Sequence, residues 1–313
     1  MTDLFKEKNI SPMLVAQMKE PFDEENWIYE LKLDGSRCIG YFDHEGTCLR
    51  NKRNMELLTK FPELGQLHHN VSDRTILDGE LVVLRNGVPD FYELQRRTLL
   101  TDRFKIEMAA ARYPASFVAF DCLYGNDRCI MDIPLLERKR QLQASVQETG
   151  QLALSRYIPA DGTGLYYAAV EKELEGVVAK RADSLYFPGK RTKDWIKFKR
   201  MADEEFVVCG YIRKTGNTFS IILGKYHDGA YYYKGHVTLG VSLAVISQLK
   251  ESGKMPFTAK PLGNDSAVWV YPDKVCTVEY MPNTKNSLRQ AVFKGFRTDM
   301  VPADLDDMPE RSR

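Results

Sequence analysis

Alternation of apolar and polar positions organises this chain more than any long helical stripe. The stretch "WIYELKLDGSRCIGYF" (27–42) reads as two strands around a glycine turn, rich in Trp27, Ile28, Tyr29, Ile39 and Tyr41. "ILDGELVVL" (76–84), "SFVAFDCLY" (116–124), "EGVVAKRA" (175–182) and "WIKFKR" (195–200) are further strands. Helical spacing is expected in "DFYELQRRTL" (90–99), in "PLLERKRQLQASVQE" (134–148), opened by Pro134, and in "GLYYAAVEKELE" (164–175). After about residue 200 the texture changes. "EEFVVCGYI", "FSIILGKYH", "AYYYKGHVT" and "KVCTVEYMP" are short strands at turn-marked intervals, interrupted by one expected helix, "SLAVISQLKES". Such a set suits a small barrel of the OB type. The boundary therefore divides the chain into residues 1–200 and 201–313. The polar tail, "ADLDDMPERSR", is expected to fray.

Composition narrows the class. The 313 residues are 43% hydrophobic and 28% charged, ordinary for a globular protein of two domains. No apolar run approaches a membrane span, and the first ten residues hold no secretory h-region. Six cysteines lie scattered without a CxxC pair, which suits a reduced cytoplasmic compartment and argues against zinc. Net charge is only +1, so any nucleic-acid binding must come from local clusters such as Lys52-Arg53, Arg96-Arg97 and Lys190-Arg191-Thr-Lys193. Each of these could equally be a solvated face.

One stretch asks for chemistry. In "ELKLDGSR" (30–37) a lysine stands among apolar residues and is followed at once by an acid, a glycine and an arginine. Taken alone, Asp34-Gly35 is also a hairpin-turn signature. A free lysine has a pKa of about 10.4, so a nucleophilic one must be pushed down by desolvation or neighbouring cations. Lys197 and Lys199, two apart on one strand, share a face and could supply that pressure while holding a phosphate. Glu80 and Glu175 stand at glycine-marked strand positions, where an acid can reach a ribose hydroxyl or a divalent metal.

In order and spacing these pieces resemble the covalent nucleotidyltransferases, and within them the ATP-dependent DNA ligases. Lys32-Leu-Asp34-Gly-Ser-Arg37 is similar to their nucleophile motif, "NKRNMELLTKFPEL" (51–64) to a segment supplying Arg53, and "LDGELVV" (77–83) to one supplying Glu80. "FVAFDCLY" (117–124) is similar to an aromatic segment with Phe120, and "EGVVAKR" (175–181) to one with Glu175. "YFPGKRTKDWIKFK" (186–199) is similar to a segment with Arg191, Lys197 and Lys199, and "LRQAVFKGFRTD" (288–299) to a last one with Arg297 and Asp299. The pieces "FYELQRR" and "PGKRTKDWIKFK" most resemble bacterial ligases related to the ligase domain of LigD.

The resemblance implies an α+β fold: a nucleotidyltransferase (ATP-grasp-like adenylation) domain followed by an all-β OB-fold barrel. It implies a monomer that seals 5′-phosphate/3′-hydroxyl nicks in double-stranded DNA, with ATP and Mg²⁺, or Mn²⁺ in its place. Lys32 would form lysyl-AMP and Asp34 would help transfer to the nick. Glu30 would meet the adenine amino group, Phe120 would stack on the purine and Glu80 would hold the ribose. Arg37 and Arg53 would position ribose or phosphate. Arg191, Lys197, Lys199 and Arg297 would meet phosphates, and Glu175, with Glu80, would bind metal. Met300 departs from the pattern, which has a basic residue after the aspartate. The start of the chain runs almost directly into the nucleophile, so DNA would be held by the OB barrel, the basic loops and Arg96 and Arg97, weakly and with salt sensitivity. No motif identifies a recruiting repair protein. An RNA ligase or capping guanylyltransferase would share the lysine motif, and a non-catalytic OB-fold nucleic-acid binding protein would carry the barrel beside a degenerate enzyme domain.

Overall fold

The computed structural model describes residues 3–282 and 287–306. The chain forms two compact units, Met1–Lys199 and Arg200–Arg313.

The first unit is built on two sheets. One runs in the order Leu14–Gln17, Arg191–Lys199, Gly176–Arg181, Trp27–Leu31, Tyr157–Pro159. The other runs Gly46–Asn51, Ser36–Asp43, Thr75–Arg85, Ala115–Gly125, Arg128–Cys129, with Leu152–Leu154 alongside in parallel. Strands Trp27–Leu31 and Ser36–Asp43 therefore belong to different sheets. The expected turn at Asp34-Gly35 is corrected: residues 32–35 do not close a hairpin but carry the chain from one sheet to the other. The backbone N–H of Lys32 donates to the carbonyl of Gly176 at 2.8 Å, which ends the first strand against a segment far along the chain.

Sterics explain the glycine of the crossing. A Cβ at Gly35 would lie 2.3 Å from the Leu81 carbonyl oxygen and 2.8 Å from Glu80 Cγ. Gly176 is bound by conformation as well, with φ +142° and the Phe198 carbonyl 2.0 Å from where its Cβ would be. Gly35→Ala is expected to lower stability by about 1–3 kcal/mol, the usual cost of overpacking. A urea titration beside the parent reads this as a lower midpoint; an unchanged midpoint would show that the crossing has slack.

The helices bury one face each against these sheets. Phe91–Thr98 starts at Asp90, whose carboxylate accepts from the Glu93 N–H. Leu135–Ser145 carries Arg138 to Asp121, both fully buried, at 2.8 Å. Arg97, expected as a DNA-gripping surface cation, is corrected. It is fully buried, bonded to Glu63 and to the carbonyls of Tyr113 and Lys60, over the Phe61 ring. Arg96 is on the surface but paired with Glu93.

The second unit is a six-stranded barrel-type sheet in the order Ala230–Val237, Phe219–His227, Ala202–Arg213, Val275–Met281, Arg289–Arg297, with the short strand Ala267–Trp269 also paired to Ala202–Arg213. Just after the first of these in that order, Leu239 bridges to Val292, which brings the two ends of the sheet together. This is the expected OB-like arrangement. The expected helix over 242–252 is confined to Leu243–Ile246. Beyond it Ser247 and Gln248 turn back onto the Ala244 carbonyl, and Glu251 bridges to Val270. Of the tail, Pro302–Leu305 forms a 3-10 turn with Leu305 buried, and residues 307–313 lie outside the described residues.

Candidate active site

The crossing segment opens onto a cleft of about 480 Å³ between the two sheets of the first unit. Register places its walls. Glu30 lies opposite Val178, Val178 opposite Lys197, and Lys180 opposite Trp195, so these side chains share a face with Lys32. The second sheet supplies Arg37, paired with Glu80 across the ladder. Phe120 comes from a bulge: Asp78 faces Asp121 and Gly79 faces Ala119, which leaves Phe120 as the extra residue. A bulge re-aims a side chain, and here Phe120 lines the cleft.

Glu30, Lys32, Arg37, Glu80 and Phe120 thus meet in one cavity. Lys32 Nζ lies 2.8 Å from Glu175 Oε2, and Lys199 Nζ lies 3.7 Å from the other oxygen. The nearest charge to Lys32 is therefore an acid, where the sequence suggested flanking cations. Like-charge pressure is instead seen at Lys197. Desolvation first, then Lys32 and Arg191, hold its ammonium below the ordinary range. Desolvation pushes the Glu80 carboxyl up to about 7, against the pull of Arg37 and Lys32. Arg37 is bound twice to buried Asp78, at 2.6 Å each, and its guanidinium lies 4.4 Å from the Phe120 ring centre. Asp34 is half-buried in the crossing.

Other expected positions lie elsewhere. Arg53 is exposed in the turn after Gly46–Asn51, where its backbone N–H donates to Asn51, and it does not line the cleft. Arg191 is exposed and donates to the Val15 carbonyl. Arg297 belongs to the second unit. It is bonded twice to Asp299 and once to Glu205, and this pairing holds the Asp299 carboxyl down at about 2. Met300 packs on that unit's apolar cluster with Cys209, Phe257 and Val275, which suits an apolar residue at a position the family pattern makes basic.

Sequence reasoning passed over four cleft-building residues. Lys180 is 2% exposed, and its amine lies 4.2 Å from the Phe120 ring centre and 4.3 Å from that of Trp195. It stands 2.9 Å from Glu30 Oε1 without being aligned as a hydrogen bond. Desolvation, and after it the opposing pull of Glu30 and the push of Lys139, leave this amine lowered to about 8. Lys139 stands 2.7 Å from the same oxygen, and Ser155 donates to Oε2 at 2.7 Å. Burial raises the Glu30 carboxyl, but Lys139 and Lys180 more than offset it and hold it below the ordinary carboxylate range. Period-two spacing from Val178 could have found Lys180, and Trp195 shares its register. Lys139 and Ser155 carry no local signal.

The electrostatics suit an anion with a polar, planar body. Lys32, Arg37 and Lys180 line the cleft together with Glu30, Glu80 and the Phe120 and Trp195 rings. Glu175, 2.8 Å from the Lys32 amine, and Glu80, which lines the cleft with Lys32, are both hard oxygen donors. One or two carboxylates completed by phosphate oxygens and water is the donor set Mg²⁺ takes, and Mn²⁺ accepts the same. The residues present fit such an ion.

Comparison with known proteins agrees. The family described as ATP dependent DNA ligase domain matches residues 12–199, and ATP dependent DNA ligase C terminal region matches residues 214–300. The SPbeta prophage-derived DNA ligase-like protein LigB of Bacillus subtilis is 35% identical, over 92% of this chain and 99% of that one. The multifunctional non-homologous end joining DNA repair protein LigD of Mycobacterium tuberculosis is 30% identical over 96% of this chain, which spans only 40% of that protein's length. A solved structure, mycobacterial DNA ligase D complexed with ATP and MES, aligns with a TM-score of 0.56 at 26% identity, covering 97% of this chain and 99% of that one.

Proposed function

Because this chain belongs to the ATP-dependent DNA ligases, we propose that it seals 5′-phosphate/3′-hydroxyl nicks in duplex DNA through a lysyl-AMP on Lys32 and then a DNA-adenylate. The observation that carries this reading is the position of Lys32: a primary amine on the crossing between the sheets, lining the cleft with Glu30, Glu80 and Phe120, with a carboxylate at 2.8 Å.

Lys32 Nζ, once its proton has left, forms a bond to the α-phosphorus of ATP, and pyrophosphate departs. The AMP then passes to the 5′-phosphate of the nick, restoring the amine. Attack by the 3′-hydroxyl on that activated phosphate closes the strand and releases AMP. Each step is a displacement at phosphorus, where positioning and neutralisation of charge dominate. Lys197 and Lys199 sit on the strand face that bears the nucleophile and neutralise phosphate oxygens. Glu30 accepts from the adenine amino group, Phe120 lies along the purine, and Glu80 accepts from the ribose. Arg37, locked by Asp78, keeps the Phe120 side of the cleft fixed. Asp34 acts at transfer to the nick. Glu175, with Glu80, would hold Mg²⁺ or Mn²⁺, which would shield phosphate charge. Arg191 and Arg297 add phosphate contacts. We assign Arg53 a contact beyond the cleft, to ribose or phosphate of the bound substrates.

We assign it a role in DNA repair, the work named for its LigD relatives, and a site of action in the bacterial cytosol where DNA and ATP meet. The cleft is built within residues 1–199, which suits a monomer. The test is sealing of a 5′-phosphorylated nick in DNA and RNA duplexes by purified protein with ATP, GTP or NAD. Sealing of DNA with ATP alone is expected. Sealing confined to RNA, or label retained from GTP alone, would redirect the assignment to an RNA ligase or a capping enzyme.

A further inference from the structure

Behind the wall that carries Glu30 lies a second cavity, of about 460 Å³, whose lining includes Lys139, Gln143, Ser155, Arg156 and Tyr157. Ser155 lines both cavities, so the partition between them is thin. Lys139 comes from helix Leu135–Ser145, between the short motifs that carry the chemistry in sequence, and its side chain is 5% exposed. Its ammonium lies 5.3 Å from the Tyr157 ring centre and makes two polar contacts. It lies 2.7 Å from Glu30 Oε1 and donates to the Phe120 carbonyl at 3.0 Å. These two residues come from different sheets, and both line the nucleotide cleft.

A buried lysine is a costly way to fill space, because its charge leaves water and must be compensated. An apolar residue would pack a helix onto a sheet better. What the lysine adds is geometry. It gives the carbonyl of the bulged residue a donor, and it balances the Glu30 charge from behind. The other cation on Glu30, Lys180, then stays over the Phe120 and Trp195 rings on the cleft side.

We propose that Lys139 is a positioning residue for nucleotide selection: from the rear cavity it fixes Glu30 and Phe120 so that the cleft takes adenine and turns guanine away. The proposal rests on the adenylation reading above. Adenine presents an amino group to the Glu30 carboxylate. Guanine presents an oxo group at that position, and two acceptors would face each other. That discrimination depends on the carboxylate being aimed and held, and Lys139 does so from behind, with Ser155 on the other oxygen and Lys180 on the cleft side.

The experiment is self-adenylation of purified full-length protein over a range of ATP and GTP. Lys139→Ala is expected to weaken the apparent affinity for ATP about 10-fold, the loss of a charged hydrogen-bonded contact. The maximum rate should stay within about threefold, since nothing in the reaction touches Lys139. The preference for ATP over GTP should shrink. Because the lost ammonium opened onto a cavity, methylammonium or ethylammonium should restore affinity, and tetramethylammonium, which has no N–H, should not. Lys139→Arg should keep most of the affinity. If Lys139→Ala does not fold, Lys139→Gln carries the same test, with a donor for the carbonyl but no charge. Unchanged ATP affinity and ATP/GTP preference in either soluble variant overturns the proposal. So does a loss that falls equally on the maximum rate and ignores the amines, which marks a merely structural lysine. Parent protein that never forms an adenylate would instead overturn the ligase reading and is seen in the same assay.

Discussion

Lys32→Ala protein incubated with ATP labelled at the α-phosphate and a divalent cation will carry no label through a denaturing gel, and will not seal a 5′-phosphorylated nick with ATP. The expected loss is at least about 10³-fold, because the nucleophile of a covalent pathway has no substitute. Other amines stand near: Lys180 lines the same cleft but faces Glu30 at 2.9 Å and the Phe120 and Trp195 rings, and Lys199 is held at 3.7 Å from Glu175. Neither occupies the crossing between the sheets, where the backbone of Lys32 is fixed by Gly176. Lys32→Arg is expected to be as inactive, since a guanidinium cannot give up its proton in a protein. The same variants provide a sharper check. Closing a nick that already carries AMP on its 5′-phosphate needs no bond to residue 32, so Lys32→Ala should still turn over that substrate. Loss of both activities would show that Lys32 serves the cleft's architecture rather than the covalent step. Label retained by Lys32→Ala would place the adenylate on another residue.

What could be read from the sequence follows the reach of local physics. Strands Thr75–Arg85 and Ala115–Gly125 announce themselves through apolar alternation, and Asp90 marks a helix start by its own side chain. The crossing at residues 32–35 could not be told from a hairpin. Both need a glycine, and the choice is made by pairing with Gly176–Arg181, far along the chain. Helix Arg103–Arg112 went unseen for another reason. Ile106 and Ala109 are buried while Phe104 and Met108 are exposed, so its apolar residues lie on opposite sides and no single stripe forms. Phe120 reaches the cleft through a bulge that alternation cannot foresee. Arg97 looked like half of a basic pair, and only the fold brings Glu63 to it. The site was legible where a motif carries chemistry in its own letters, as around Lys32, Glu80 and Glu175. Its supports, Lys139, Ser155 and Trp195, act through contacts the letters do not state.

Glu80→Gln is expected to make the protein more stable above neutral pH and much less active, and both effects have one cause. Desolvation in the cleft raises the Glu80 carboxyl from its ordinary 4.5 to about 7. The folded protein therefore holds this proton more tightly than the unfolded chain does. The stability it lends is fully present below about pH 4.5, declines as pH rises from there to about 7, and is absent above. Over that window the decline amounts to at most about 3 kcal/mol, at 1.36 kcal/mol for each pKa unit. A glutamine keeps the shape and has no charge to desolvate. The variant should match the parent near pH 4.5 and exceed it at pH 8, read as the gap between urea midpoints at the two values. Adenylation should move the other way. Replacing an ionised acceptor by an amide at a ribose or metal contact removes about 1.5–3 kcal/mol, roughly a 10- to 100-fold fall in kcat/KM for ATP. A parent and variant whose stabilities run parallel from pH 4.5 to pH 8 would show that Glu80 is not held neutral by burial. Stability gained with activity intact would show that its carboxylate serves neither ATP nor the metal, and that the strain in this wall of the cleft has some other use.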